Sequence, residues 1–156
     1  MKVSSEWNLL DNKVRNSPSI SQFKKNLLAI IRPSKNPTYN IRDILGIRLL
    51  TKLRVEFSAL NGHRSKHNFA CLSPMCVCGT GKEDNEHFLL HCPLYSILRQ
   101  DLFGQLSDID GFNVADVNLK ELCPLLLFSD QNLGSIANEI ILEATISFVK
   151  ASARLN

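Results

Sequence analysis

The stretch "MCVCGTGKEDNEHFLLHC" gathers three of the chain's five cysteines and two of its four histidines into eighteen residues. Within it Cys76, Cys78, His87 and Cys92 stand in the pattern C-x-C-x8-H-x4-C. Three thiolates and one imidazole close a tetrahedral zinc site of the structural kind, with no position left for water. One structural Zn²⁺ is therefore the expected cofactor. Alternate residues of an extended segment point to one side, so Cys76 and Cys78 can reach one ion. Gly79 and Gly81 permit the tight turn and positive φ that a knuckle needs. Cys71 and His91 are close enough in sequence to serve as alternative ligands. Cys123, inside the apolar "ELCPLLLF", reads as plain core.

His87 and Cys92 need an element to bring them together. Five positions apart on a continuous α-helix they would diverge by about 140°. Pro93 disfavours the α region at the residue before it, so a helix from His87 is expected to break at Cys92 and swing that thiolate back. Pro93 then opens a helix carrying Leu94, Ile97, Leu98 and Leu102. "KEDNE" reads as a polar loop, with Glu83, Asp84 and Glu86 around the knuckle.

Upstream, a short amphipathic stretch lies around Trp7–Val14. A helix follows with Ser19 as cap and Gln22 three residues on, the capping-box spacing. Its stripe is Ile20, Phe23, Leu27 and Ile30 or Ile31, and Pro33 ends it. A further helix is predicted from about Asp43 to Ala59, with Leu45, Leu49, Leu53 and Phe57 on one face and Arg48 and Lys52 on another. "NGHRSKHNF" reads as a basic, turn-rich loop. Downstream, "SDIDGFNVADVN" is a loop, Leu119–Leu127 a short helix, and about Leu133 to Arg154 a long amphipathic one. The stripe of that last helix is Ile136, Ile140, Ala144 and Phe148. The fold class is mostly α: a small helical domain with an embedded CCHC zinc knuckle. Three segments are expected to share one core: a basic helical part (1–67), the knuckle region (68–106) and C-terminal helices (107–156).

The composition, 44% hydrophobic and 21% charged in 156 residues, is that of a folded domain rather than a disordered or fibrous chain. No apolar run approaches the roughly 20 residues that span a bilayer. The N-terminus lacks a signal-peptide core, and an odd, clustered cysteine set suits reduced thiols in the cytosol or nucleus better than a disulfide framework. Charge is divided. Residues 1–67 hold thirteen Lys/Arg against four Asp/Glu, a net of +9; residues 68–156 hold five against eleven, a net of −6. Such asymmetry suggests a basic half that faces a polyanion. Clustered thiols suit nucleophilic catalysis poorly, and no Gly-rich phosphate loop, H-E-x-x-H motif or paired-aspartate motif is present. The chain is expected to be non-catalytic by itself.

The segment "IRPSKN…LLTKLRVEFSALNGHRSKHNFACLSPMCVCG…EDNEHFLLHCPLY" resembles the C-terminal region of non-LTR (LINE-type, jockey-like) retrotransposon reverse transcriptases. There an LLT-[RK]-LR run and a His-bearing basic loop precede a CCHC zinc knuckle. The likeness extends upstream through "RNSPSISQFKKNLLAIIRP" and downstream to "ISFVKASARLN". It implies that Cys76, Cys78, His87 and Cys92 are the knuckle ligands. It further implies that the chain lies beyond the thumb of such an enzyme, without its polymerase or endonuclease residues.

The function expected is a zinc-stabilised nucleic-acid-binding module, with element RNA or target DNA as partner and no membrane or small-molecule substrate. Arg42, Arg48, Lys52, Arg54, His63, Arg64, Lys66 and His67 would contact phosphate. The alternatives are a structural or protein-interaction zinc domain, or a non-functional fragment of a degraded element.

Overall fold

The computed structural model describes residues 16, 18–22, 41–67, 73–130 and 132–155. The chain divides into two compact units, Met1–Asn36 and Pro37–Asn156. In the first, the Ser19 hydroxyl accepts from the Gln22 backbone N–H at 3.1 Å, the cap that the spacing predicts, and helical backbone begins at Ile20. The expected elements at Trp7–Val14 and from Phe23 to Pro33 lie outside the described residues.

The second unit is mostly α. Its helices are α1 (Ile44–Arg54), α2 (Asn61–Lys66), α3 (Ser96–Ser107), α4 (Leu119–Phe128) and α5 (Ser135–Ala151). A π-helical turn, His87–His91, and 3₁₀ turns at Pro93–Tyr95 and Val114–Asp116 complete it. Among the described residues there is no strand, only an isolated antiparallel bridge between Met75 and Lys82.

Helix α5 is the axis, with α1, α3 and α4 packed on it. Buried positions on α5 include Ile141, Leu142, Ala144, Thr145, Ile146, Phe148 and Val149, more than one stripe, because neighbours cover it from several sides. The stripe expected from Ile136 is wrong at its start. Ile136 is 74% exposed, and the helix begins only at Ser135.

Helix α1 is capped by Asp43, whose Oδ1 accepts from the Gly46 N–H at 2.8 Å, while Lys150 of α5 donates to Oδ2 at 2.7 Å. That hydrogen bond from Lys150 is the largest cause holding the Asp43 carboxyl below its usual range. Gly46 lets the two helices approach: a Cβ there would lie 2.2 Å from Ile146 Cγ2. The helix stops at Arg54 rather than Ala59. Glu56 takes a left-handed φ of 53°, its N–H donates to Leu53 O and the Phe57 N–H to Lys52 O, the paired bonds of a Schellman stop. Phe57 therefore leaves the stripe and, like Leu45, is about half exposed; Leu49, Leu50 and Leu53 form the buried face.

Two further expectations change. "NGHRSK" is helical rather than looped, anchored at its start by the fully buried Leu60. In α3 and the turn before it, Leu94 and Ile97 face solvent, and Leu102 and Leu106 enter the core. The short helix at Leu119–Leu127 stands, extended by one residue and capped by Asn118.

Candidate metal centre

The knuckle is built by backbone geometry first. Glu83 N–H donates to Pro74 O and Cys76 N–H to Gly81 O, both near 2.9 Å, folding the chain back on itself. Gly79 closes the turn with φ of 78°, a conformation that costs a side-chain-bearing residue energy, and its N–H donates to Cys76 O. On the other side, Asp84 caps the next turn: its Oδ1 accepts from the His87 N–H at 3.0 Å.

His87 and Cys92 then meet by a route that differs from the one expected. The turn between them is π-helical, and the Cys92 N–H donates to His87 O at 2.7 Å. A bond to the fifth residue back sets the two residues one above the other, which an α-turn would not. Cys92 itself is extended (φ −62°, ψ 120°), as a residue before proline should be, and the chain turns there. Arg99 satisfies the carbonyls that the turn leaves behind, donating to Leu89 O at 2.8 Å and Cys92 O at 2.7 Å. The turn also plants Phe88, fully buried, edge-on to Tyr95 and Phe148 at 5.2 and 5.4 Å between ring centres.

The outcome is one cluster. The ligand atoms of Cys76, Cys78, His87 and Cys92 all lie within 4.8 Å of one another. Cys76 and Cys92 sulfurs are 3.7 Å apart, and Cys78 Sγ is 3.2 Å from His87 Nε2. An ion with tetrahedral metal–sulfur bonds of about 2.3 Å separates its sulfurs by about 3.8 Å. The residues fit one metal ion. Burial pushes the Cys76 thiol up to about 12 and raises that of Cys92, whereas the Thr80 hydroxyl, 3.2 Å away, is the largest cause lowering Cys78 to about 6. Holding all three as thiolates in this partly apolar setting calls for a compensating cation, whose binding releases protons.

Cys71 lies outside the described residues. His91, the other alternative ligand, is exposed, with Nε2 3.4 Å from Glu86 Oε1, and stands apart from the cluster. Cys123 is buried in the apolar core, with its thiol pushed up to about 12 by that burial.

One acidic neighbour overturns its expected place. Glu83 is not a surface charge of a polar loop but 1% exposed. Both its oxygens pair with the Arg154 fork at 2.7 Å, and Oε2 also accepts from the Asn61 N–H at 2.7 Å. The Gly62 N–H donates to Glu83 O at 3.0 Å, and a Cβ on Gly62 would sit 2.6 Å from that oxygen, so α2 lies directly on the knuckle. Glu83 and Arg154 could not be paired from sequence, since neither carries a local sign of the other.

The eight basic residues expected at a phosphate surface divide. Arg42 and Arg48 are exposed, and Lys52 and Arg64 half-buried. Lys66 and His67 are exposed but engaged: Lys66 pairs with Glu56, and the His67 ring meets Phe57 edge-on and contacts Glu56 O. Arg54 donates to Leu127 O at 2.5 Å and lies 5.6 Å from the Phe128 ring centre, tying α1 to α4. His63 is largely buried, its Nδ1 2.8 Å from Ser58 Oγ, at the wall of a groove. Sequence reasoning missed two cations, Lys82 and Lys120. With Arg54, His63 and Lys66 they line a groove of about 440 Å³ that Glu56, Asp84 and Glu86 also line, so its charge is mixed.

Among the described residues no helix is long and apolar enough to cross a membrane. Comparison of the chain with family models, curated proteins and solved structures gave no match.

Proposed function

We propose that the protein is a zinc-stapled helical module that binds nucleic acid and is non-catalytic by itself. The observation that carries the zinc is the convergence of Cys76, Cys78, His87 and Cys92 within 4.8 Å. A Cys₃His donor set at tetrahedral spacing selects zinc over harder ions that prefer oxygen. Support for nucleic acid comes from the basic net charge of residues 1–67 and from the resemblance of the middle segment to the tail of non-LTR retrotransposon reverse transcriptases. Arg42, Arg48 and Lys52 are the cations best disposed for it, since Arg54 and His63 serve the fold. Element RNA or target DNA would be the partner, in a nuclear or cytoplasmic, reducing setting.

Elemental analysis should find one zinc per chain. Affinity for RNA or DNA should fall as salt rises, with a log–log slope of about −0.7 to −0.9 per phosphate contact. Replacing Arg42, Arg48 and Lys52 together by Ala should flatten that slope without changing zinc content. Zinc-loaded protein that binds neither polymer at low salt refutes the nucleic-acid part. One observation favours a second reading, a structural or protein-interaction zinc domain: Arg54 and Lys66 are spent on partners within the chain. That reading expects zinc but no salt-dependent binding.

A further inference from the structure

The Glu83 carboxylate is buried beside the metal-ligand cluster, with Oε1 3.9 Å from Cys76 Sγ. A buried carboxylate must be compensated by charge and hydrogen bonds. Here Arg154 supplies the charge, gripping both oxygens at 2.7 Å. Arg154 is itself held by a built turn. The Ser152 hydroxyl donates to Val149 O at 2.7 Å and accepts from the Arg154 N–H at 3.3 Å, while Ala153 between them takes a left-handed φ of 51°. Asn61 closes the group, its Oδ1 3.3 Å from Arg154 Nη2 and its Nδ2 donating to Met75 O at 2.8 Å, one residue before the first ligand.

Resting on the metal reading above, the geometry points to Arg154 as a positioning residue of the metal centre: its fork holds the Glu83 carboxylate away from the ion and keeps the ligand set Cys₃His. Carboxylate oxygen is a competent ligand for the same ions. A carboxylate relieved of Arg154, buried and adjacent to Cys76, has the metal as its nearest compensating charge. It would then bond to the metal through an oxygen, as an added ligand or in place of a thiolate. The ordinary alternative is that the pair is only a buried tie between the knuckle and the end of α5. That role alone would cost stability and leave the coordination sphere unchanged.

The test is titration of the full chain with Co²⁺, read by visible absorption, together with Zn²⁺ affinity from chelator competition. Wild type should give the intense bands of a tetrahedral three-sulfur site. Arg154→Met should weaken and shift those bands and lower Zn²⁺ affinity by about 10- to 100-fold, the usual effect of losing a group that orients metal ligands. The double variant Arg154→Met/Glu83→Gln should recover the tetrahedral bands, because the competing oxygen anion is gone. Arg154→Lys, which keeps the charge but not the fork, should give an intermediate spectrum, and it carries the comparison if Arg154→Met does not fold. Single variants with wild-type bands and affinity overturn the inference, as does a double variant that fails to recover. A wild-type chain that takes up no Co²⁺ refutes the metal reading itself, which is a separate result.

Discussion

At the level of single residues, a cysteine of the knuckle and a cysteine of the core should behave unlike one another. Cys78→Ser should abolish stoichiometric metal binding and the knuckle with it, since a structural zinc contributes folding free energy on the order of 10 kcal/mol. Cys123→Ser, in the core, should keep the metal and cost about 1–3 kcal/mol for burying a hydroxyl. Zinc content and thermal unfolding of both variants check this; metal retained in Cys78→Ser would void the ligand assignment. His63 makes a pH prediction. Burial is the largest cause lowering its pKa, against which Glu56 and Asp84 pull upward while Lys66 and His67 pull downward with burial. The folded state thus takes up its proton less readily than the unfolded chain, in which the pKa is about 6.5. Its contribution to stability is fully present above that value and is lost as pH falls below it. Relative to wild type, His63→Gln should show a shallower loss of stability between about pH 7 and 5 in denaturant titrations. A parallel loss in both proteins would mean that His63 is not the group involved. The convergence of Cys76, Cys78, His87 and Cys92 was legible because it depends on spacing along a few residues. The burial of His63 and Glu83 was not, because nothing adjacent in the chain announces it.

At the level of elements, the close crossing of α1 and α5 invites a substitution whose two effects oppose each other. Gly46→Ala should gain about 1 kcal/mol in helix propensity. The new Cβ, however, would lie 2.2 Å from the Cγ2 of the buried Ile146 and 2.9 Å from Asp43 Oδ2. Over-packing of this kind costs about 1–3 kcal/mol, so the net effect should be destabilising. In Gly46→Ala/Ile146→Ala the two costs should sum to less than their separate values, because the second change removes the obstacle. Additive costs in a denaturant-melt cycle would show that the helices do not meet there. Helix identities were readable from apolar spacing, as α4 shows. Their ends were less so. Glu56 adopts a left-handed stop that usually draws glycine, so no sequence sign marked the end of α1. The π-helical turn likewise looks like ordinary helix in sequence, although Pro93 fixed where it had to end.

At the level of the whole molecule, the core and the knuckle overlap without being the same thing. Leu50, Leu53, Leu126, Ile141, Leu142 and Phe148 pack in one cluster that includes none of the four candidate ligands, and among the described residues of the turn between His87 and Cys92, Phe88, Leu89 and Leu90 join it. Removing the metal with a chelator should therefore leave most far-ultraviolet helix signal in place. It should strip hydrogen-exchange protection from the amides of Asn61, Gly62, Cys76 and Glu83, whose partners the knuckle supplies or shapes. Uniform loss of protection, α5 included, would instead mean that the helices cannot stand without the ion. The charge division of the sequence had suggested a basic half that faces a polyanion. In the fold Arg54 donates to Leu127 O and the exposed Lys66 pairs with Glu56, and both line, with His63, Lys82 and Lys120, a groove shared with three carboxylates.

The Glu83–Arg154 pair spans 71 positions of chain, whereas Cys76 and Cys92 are only 16 apart. Contacts between near neighbours close quickly, and those between distant segments wait on the search of the intervening chain. If an ion is bound as proposed, a short loop could capture it early, before α5 has docked. Arg154 arrives late, and only then does Glu83 acquire its charge partner. A nascent chain would pass through an interval in which the metal and a bare carboxylate stand side by side. On the proposed metal reading, misligated protein is the kinetic trap to expect, escaped only when the last turn of the molecule finds the knuckle.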